Sequence, residues 1–166
     1  MRKTTEKQKG FTLIEILVVI GIIAILAAVV IIAINPTKQF AQARNSQRTA
    51  NVNSVLNAIG QRMADNKGIF AGTFVIGAGT YKCPPILSGS SVLTTNSPDD
   101  TTPSGDFGCL IPTYMNALPS DPAGTFASPD TGYDVTVDAA GRVTICAPTA
   151  ATETSLPSPA AICVTR

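Results

Sequence analysis

The chain has 166 residues, a formal net charge of +1, four cysteines and no histidine. Without histidine its many serines and threonines have no credible basic partner, so nucleophilic catalysis lacks its activated group. Six Phe, three Tyr and no Trp are too few for a fibre that conducts through stacked rings.

Residues 1–10 form a basic leader, with Arg2, Lys3, Lys7 and Lys9 against Glu6, and end in Gly10. Residues 11–166 carry eight basic and ten acidic side chains, so the basic character lies almost wholly on the leader. An apolar helix is predicted from Phe11. Over residues 16–34 no side chain can hydrogen-bond. As a helix those residues cover roughly 28 Å, the thickness of a bilayer core. By the positive-inside rule the leader stays in the cytoplasm and the bulk of the chain lies across the membrane. Glu15 is the exception in this apolar face, where an unpaired carboxylate costs on the order of a few kcal/mol.

An ordinary secretory signal also joins a basic stretch to an apolar one, and the alanines within residues 24–28 resemble its small-residue cut site. Three features argue against it. The run is longer than the roughly 7–15 residues of such a signal, it continues past those alanines, and it contains an acid. A plain signal anchor accommodates the length but has no use for Glu15.

The stretch Lys9-Gly10-Phe11-Thr12-Leu13-Ile14-Glu15 resembles the class III signal of type IV pilins and of the related pseudopilins of type II secretion. The likeness covers about the first third of the chain closely and the rest loosely. In that family a membrane-embedded aspartic peptidase cuts after the glycine and methylates the new amino terminus. The resemblance therefore implies cleavage between Gly10 and Phe11 and N-methylation of Phe11. It also implies assembly through Phe11 and Glu15, the cationic amine of one subunit meeting Glu15 of a neighbour in an apolar surround. Such a pair selects axial register more than it adds stability, and helix packing over residues 13–34 provides most of the assembly energy. The implied partners are further copies of the chain, the prepilin peptidase/methyltransferase, a membrane assembly platform and, for the precursor, the membrane itself.

Asn35-Pro36 predicts a break or kink, or a new helix capped by Asn35 with proline in its first turn. Gly21 is a second weak point, either a place where the helix loosens or one where helices approach closely. Val52, Val55, Leu56, Ile59 and Met63 then recur at helical spacing and predict an apolar stripe packed on the head. Arg44, Arg48 and Arg62 fall within about 40° of one another at 100° per residue. Three arginines are a small electrostatic footprint for nucleic acid, so a solvated or subunit-contact face is the favoured expectation. Asn66 or Gly68 is expected to close the helix in the left-handed conformation.

Residues 69–83 are Gly-punctuated and β-like, with Phe74-Val75-Ile76 as a short strand. Residues 88–105, half of them Ser or Thr, are expected to be an exposed connector that cannot form a core strand. A short helix or turn is expected at residues 110–115. Leu118-Pro119-Ser120-Asp121-Pro122 reads as a rigid turn and resembles a stretch of pseudopilin heads. Residues 133–137 and 142–146 alternate as two strands joined at Asp138-Ala-Ala-Gly141, and residues 161–165 add an edge strand.

Cys83, Cys109, Cys146 and Cys163 all follow the apolar helix, and an even number in an exported domain reads as two disulfides. Three connectivities are open. Pairing Cys83 with Cys109 and Cys146 with Cys163 is favoured, because each bridge then closes a short loop at about 3 kcal/mol. No Cys-x-x-Cys and no histidine argue against zinc. Asp121, Asp130, Asp134 and Asp138 offer oxygens for calcium, without EF-hand spacing, and turn formation explains them as well. No metal and no cofactor are assigned.

Taken together, an α+β fold is expected. Its parts are a leader at 1–10, a transmembrane and assembly helix at 11–36, an amphipathic stalk at 37–67 and a β-rich head at 68–166. The expected role is structural rather than enzymatic: a pilin or pilin-like major subunit, inserted in the cytoplasmic membrane as a single-pass precursor with its head outside the cytoplasm. The mature form would enter an extracellular or periplasmic filament. The alternatives are a type II secretion pseudopilin and a monomeric, membrane-tethered binding domain.

Overall fold

The computed structural model describes residues 10–76, 79–86, 88–89, 91–94, 106–124, 126 and 129–166. The chain divides into two compact units, Met1–Gln39 and Phe40–Arg166.

Helix α1 spans Leu13–Ala33, and none of its residues is buried. Leu, Ile, Val and Ala make up nearly all of it, so beyond Glu15 its surface has little that meets water favourably. Its last turn closes where Ile34 N–H donates to the Val30 carbonyl at 3.2 Å, and Asn35 then turns to φ +26°. Helix α2, Pro36–Asp65, starts at once. Asn35 Oδ1 accepts from Lys38 N–H at 3.3 Å and from Thr37 Oγ1 at 2.8 Å, while Pro36 supplies a helical φ in the first turn. Asn35-Pro36 thus ends one helix and caps the next.

In the second unit, α2 buries the predicted stripe: Val52, Val55, Leu56 and Ile59 are buried and Met63 packs beside them. Each of these larger side chains contributes about 1.5–3 kcal/mol by leaving water. The helix closes with Gly68 N–H on the Met63 carbonyl at 2.7 Å, and Lys67 and Gly68 take positive φ. Asn66, the other candidate for that role, instead donates its side-chain amide to the Ile69 and Ala71 carbonyls.

Two antiparallel sheets complete the unit. Strands β1 (Gly72–Ile76) and β2 (Gly79–Cys83) form a hairpin. Strands β3 (Ser91–Thr94), β4 (Asp130–Val137), β5 (Val143–Ala147) and β6 (Ile162–Thr165) form a sheet in the order β3-β4-β5-β6. The β4–β5 turn is built on Asp138, whose Oδ1 accepts from Ala140 and Arg142 N–H at 2.9 Å each, with Gly141 at φ +81°. Val143, Ile145 and Ala147 of β5 alternate inward onto the core that α2 supplies, together with Tyr133, Val135, Leu93, Phe107 and Leu110. A 3-10 turn at Gly108–Leu110 followed by turns to residue 114 occupies the predicted helix or turn.

One expectation fails. Within residues 88–105, Ser91–Thr94 is strand β3, and Leu93 is a core residue at 1% exposure. Its partner is β4, with Val92 opposite Asp134, and Thr131 Oγ1 donates to the Leu93 carbonyl at 2.7 Å. The strand is made by that distant partner, not by its own Ser- and Thr-rich composition. Residues 95–105 lie outside the described residues.

Candidate processing and assembly site

Gly10 and Phe11 precede α1 and are exposed, and nothing lies within 4 Å of where a Cβ on Gly10 would be. Thr12 caps the helix. Its Oγ1 accepts from Glu15 N–H at 3.3 Å, and Glu15 Oε2 accepts from Thr12 N–H and from Thr12 Oγ1 at 2.8 Å each. This reciprocal arrangement is a capping box, which satisfies two amides that a helix start leaves without partners. Glu15 also places its charge at the positive end of the helix dipole. This local role of Glu15 lies beside the subunit contact that the resemblance implies, and Thr12-x-x-Glu15 is its signature in the sequence. The carboxylate in the first turn is therefore held by its own helix start.

In the second unit the polar side of α2 carries a second constellation. Arg48 has side-chain exposure of 1% and meets Asp121 through Nε–Oδ2 at 2.7 Å and Nη2–Oδ1 at 2.9 Å. Arg48 Nη1 also donates to Glu153 Oε1 at 2.7 Å, and Arg44 meets the same carboxylate through Nε at 2.7 Å and Nη2 at 2.5 Å. Asp121 accepts further from Thr149 Oγ1 at 2.5 Å and from Ala123 N–H at 2.8 Å. Two guanidiniums and two carboxylates thus balance one another, tying α2 to the turn at 121 and to the segment after β5. The hydrogen bonds from Arg44, and then from Arg48, hold the Glu153 carboxyl down to about 2 against its burial. Burial pushes the Asp121 carboxyl up, but the hydrogen bonds from Arg48, Thr149 and Ala123 outweigh it and leave it below the usual range. The Asp121 hydrogen bond raises the Arg48 guanidinium against its own desolvation.

This corrects the expectation of a solvated or subunit-contact face at Arg48 and Arg62, while Arg44 keeps 35% side-chain exposure. Arg48 and Arg62 are 0% and 3% exposed, so this face is turned into the head rather than toward solvent, a neighbour or nucleic acid. Arg62 lies over the Phe74 ring at 4.2 Å and donates to the Gly72 carbonyl at 3.4 Å. The one-face geometry was right; what covers that face depends on carboxylates far along the chain.

Residues 6–33 match the family described as the prokaryotic N-terminal methylation motif. That match covers the amino-terminal segment alone. Two curated relatives from Dichelobacter nodosus, each described as "Probable minor fimbrial protein", are 32% and 33% identical over 90 residues. Those residues are 54% of this chain and 51% of each relative, so the chain spans about half the length of the curated relatives it matches. No solved structure matches the chain.

The matched segment contains α1, which among the described residues is the one helix long and apolar enough to cross a membrane. Behind it, the head is fastened by disulfides Cys83–Cys109 and Cys146–Cys163. The four aspartates considered for calcium are not gathered. Asp121 is ion-paired to Arg48, Asp138 to Arg142 at 2.8 Å, and Asp130 caps Gly132 N–H at 2.7 Å. Among the described residues no group of three or more His, Cys, Asp or Glu side chains is placed to hold a metal.

Proposed function

We propose that the chain is a subunit of a type IV pilus or pilus-like filament, made as a single-pass precursor in the cytoplasmic membrane with its head outside the cytoplasm. The prepilin peptidase cuts between Gly10 and Phe11, Phe11 is N-methylated, and a membrane assembly platform packs the apolar helices of successive copies together. One observation carries this reading: a wholly exposed α1, apolar except for Glu15 in its first turn, opened by Gly10-Phe11 and the Thr12–Glu15 cap, within the matched methylation motif. Such a surface needs lipid before assembly and other helices after it. In the filament the Phe11 amine of one copy meets Glu15 of the next. The role is structural. The description of both relatives as minor fimbrial proteins favours a low-abundance subunit over the main one, and favours a pilus over a secretion pseudopilus.

The pseudopilin alternative retains one supporting feature, the Leu118-Pro119-Ser120-Asp121-Pro122 turn, whose Asp121 anchors the head. A monomeric tethered domain is the reading from a different class. Glu15→Leu separates them. The filament reading expects the variant to insert in the membrane normally and to be lost from sheared surface filaments. A tethered domain expects no change in how the protein partitions between membrane and sheared fractions.

A further inference from the structure

The two disulfides sit in opposite surroundings. Cys83 and Cys109 are 2% and 1% exposed within the core. Cys146 and Cys163 face each other across β5 and β6, and Cys163 is exposed. Ile145 and Ala147 of β5 point inward, so Cys146, between them, points to the opposite face of the sheet. On that same outer face the Thr144 and Thr165 hydroxyls meet at 2.7 Å.

Strand β6 is four residues long and lies at the edge of its sheet. Among the described residues, the segment leading to it is tied to the rest of the head at its start, where Thr149 donates to Asp121 and Glu153 meets Arg44 and Arg48. From 154 to 161 every residue is exposed except the half-buried Leu156. Beyond the disulfide, the arm 154–166 is held by the β5 ladder, the inward Ile162 and Val164, and the exposed contacts of Arg166 with Asn53 and Asn57.

We propose that Cys146–Cys163 is a thiol-accessible fastening of the arm 154–166, and that a dithiol reductant releases the arm and bares the edge of β5. One thiolate of the dithiol attacks the sulfur of the exposed residue Cys163, the S–S bond breaks, and Cys146 leaves as a thiolate that takes up a proton. The second thiol of the reductant attacks the mixed disulfide, Cys163 is released as a thiol, and the reductant departs as its own cyclic disulfide. The bared edge, Val143–Ala147, then presents unpaired backbone groups that an extended strand can join. Glu153 and Thr149 stay in place, so release stops at residue 154.

The test titrates the detergent-solubilised full chain with dithiothreitol, alkylates the thiols, and maps both alkylation and amide hydrogen exchange by mass spectrometry. Alkylation of Cys146 and Cys163 is expected at reductant concentrations that leave Cys83–Cys109 closed. Exchange in residues 143–147 and 162–166 should rise by about tenfold or more, with no change in residues 52–63. The double variant Cys146→Ser, Cys163→Ser should show the same exchange pattern without reductant. Opening of both bridges together, opening of neither, or selective opening with unchanged exchange in β5 and β6 each overturns the proposal.

Discussion

Arg48 and Asp121, 73 residues apart in sequence, meet through two parallel hydrogen bonds with both side chains essentially out of water. The pair joins the helix to the turn that precedes β4, and Glu153 extends it to the segment after β5. Removing one partner leaves a buried charge without its counter-ion, a loss of about 3–5 kcal/mol. Arg48→Ala should show that loss in urea unfolding followed by circular dichroism in detergent. Arg48→Met combined with Asp121→Leu should recover most of it, because the desolvation of both charges is removed together. A loss below about 1 kcal/mol for Arg48→Ala would place the pair in solvent-like surroundings.

Acid should weaken the head in a defined window. Glu153 titrates at about 2 in the folded protein against 4.5 for a free glutamate, and Asp121 is also lowered from 3.8. Carboxylates with depressed folded pKa values bind protons more readily in the unfolded chain, so their contribution is complete above the unfolded values and is lost as pH falls. The urea midpoint should hold steady from neutral pH to about 5 and decline from there toward 2. Glu153→Gln should start from a lower midpoint and show a shallower decline. Equal declines in both proteins would assign the acid sensitivity elsewhere.

Gly132 is a second position where one atom matters. It has φ +79°, and an added Cβ would lie 2.5 Å from Phe126 Cε2 and 2.9 Å from Asp121 Cβ. Gly132→Ala therefore combines a left-handed backbone with a clash against the residue that anchors Arg48. The expected loss is on the order of 2 kcal/mol or more, read as a fall in melting temperature. Gly141→Ala, at a similar φ but facing open space, should cost less.

How much of this was legible varied with the range of the interaction. The stripe from Val52 to Met63 was readable because helical spacing is local, as was the β4–β5 hairpin with its Asp138–Gly141 turn. The cap at Asn35-Pro36 and the paired cysteines also carried their own signals. What escaped was set by distant partners. Strand β3 exists because β4 lies beside it, and nothing in Ser91-Val-Leu-Thr marks Leu93 as core. Spacing placed Arg44, Arg48 and Arg62 on one face, yet burial of that face depends on Asp121, Glu153 and Phe74. Glu153 drew no attention, since a lone acid in a Thr- and Pro-rich stretch reads as solvated. The Thr12–Glu15 cap is the local exception: Glu15 stood out through the role its resemblance implies, which masked its own Thr12-x-x-Glu15 signature.

The stripe makes its own prediction. Ile59 is 1% exposed in the cluster that α2 shares with the sheet. Ile59→Ala should lower stability by about 2–5 kcal/mol, whereas Gly60→Ala, one position along on the exposed side, should leave it unchanged or raise it by up to about 1 kcal/mol. Denaturant midpoints of the two variants measured side by side decide the direction of each effect.

The role proposed for the chain depends on a cut after Gly10 and entry into a filament through the new amino terminus. Mass spectrometry of the amino-terminal peptide, on protein sheared from cells, tests it most directly. A mature chain beginning at N-methylated Phe11 in the sheared fraction is the predicted result. A chain still beginning at Met1 and confined to membranes would contradict it.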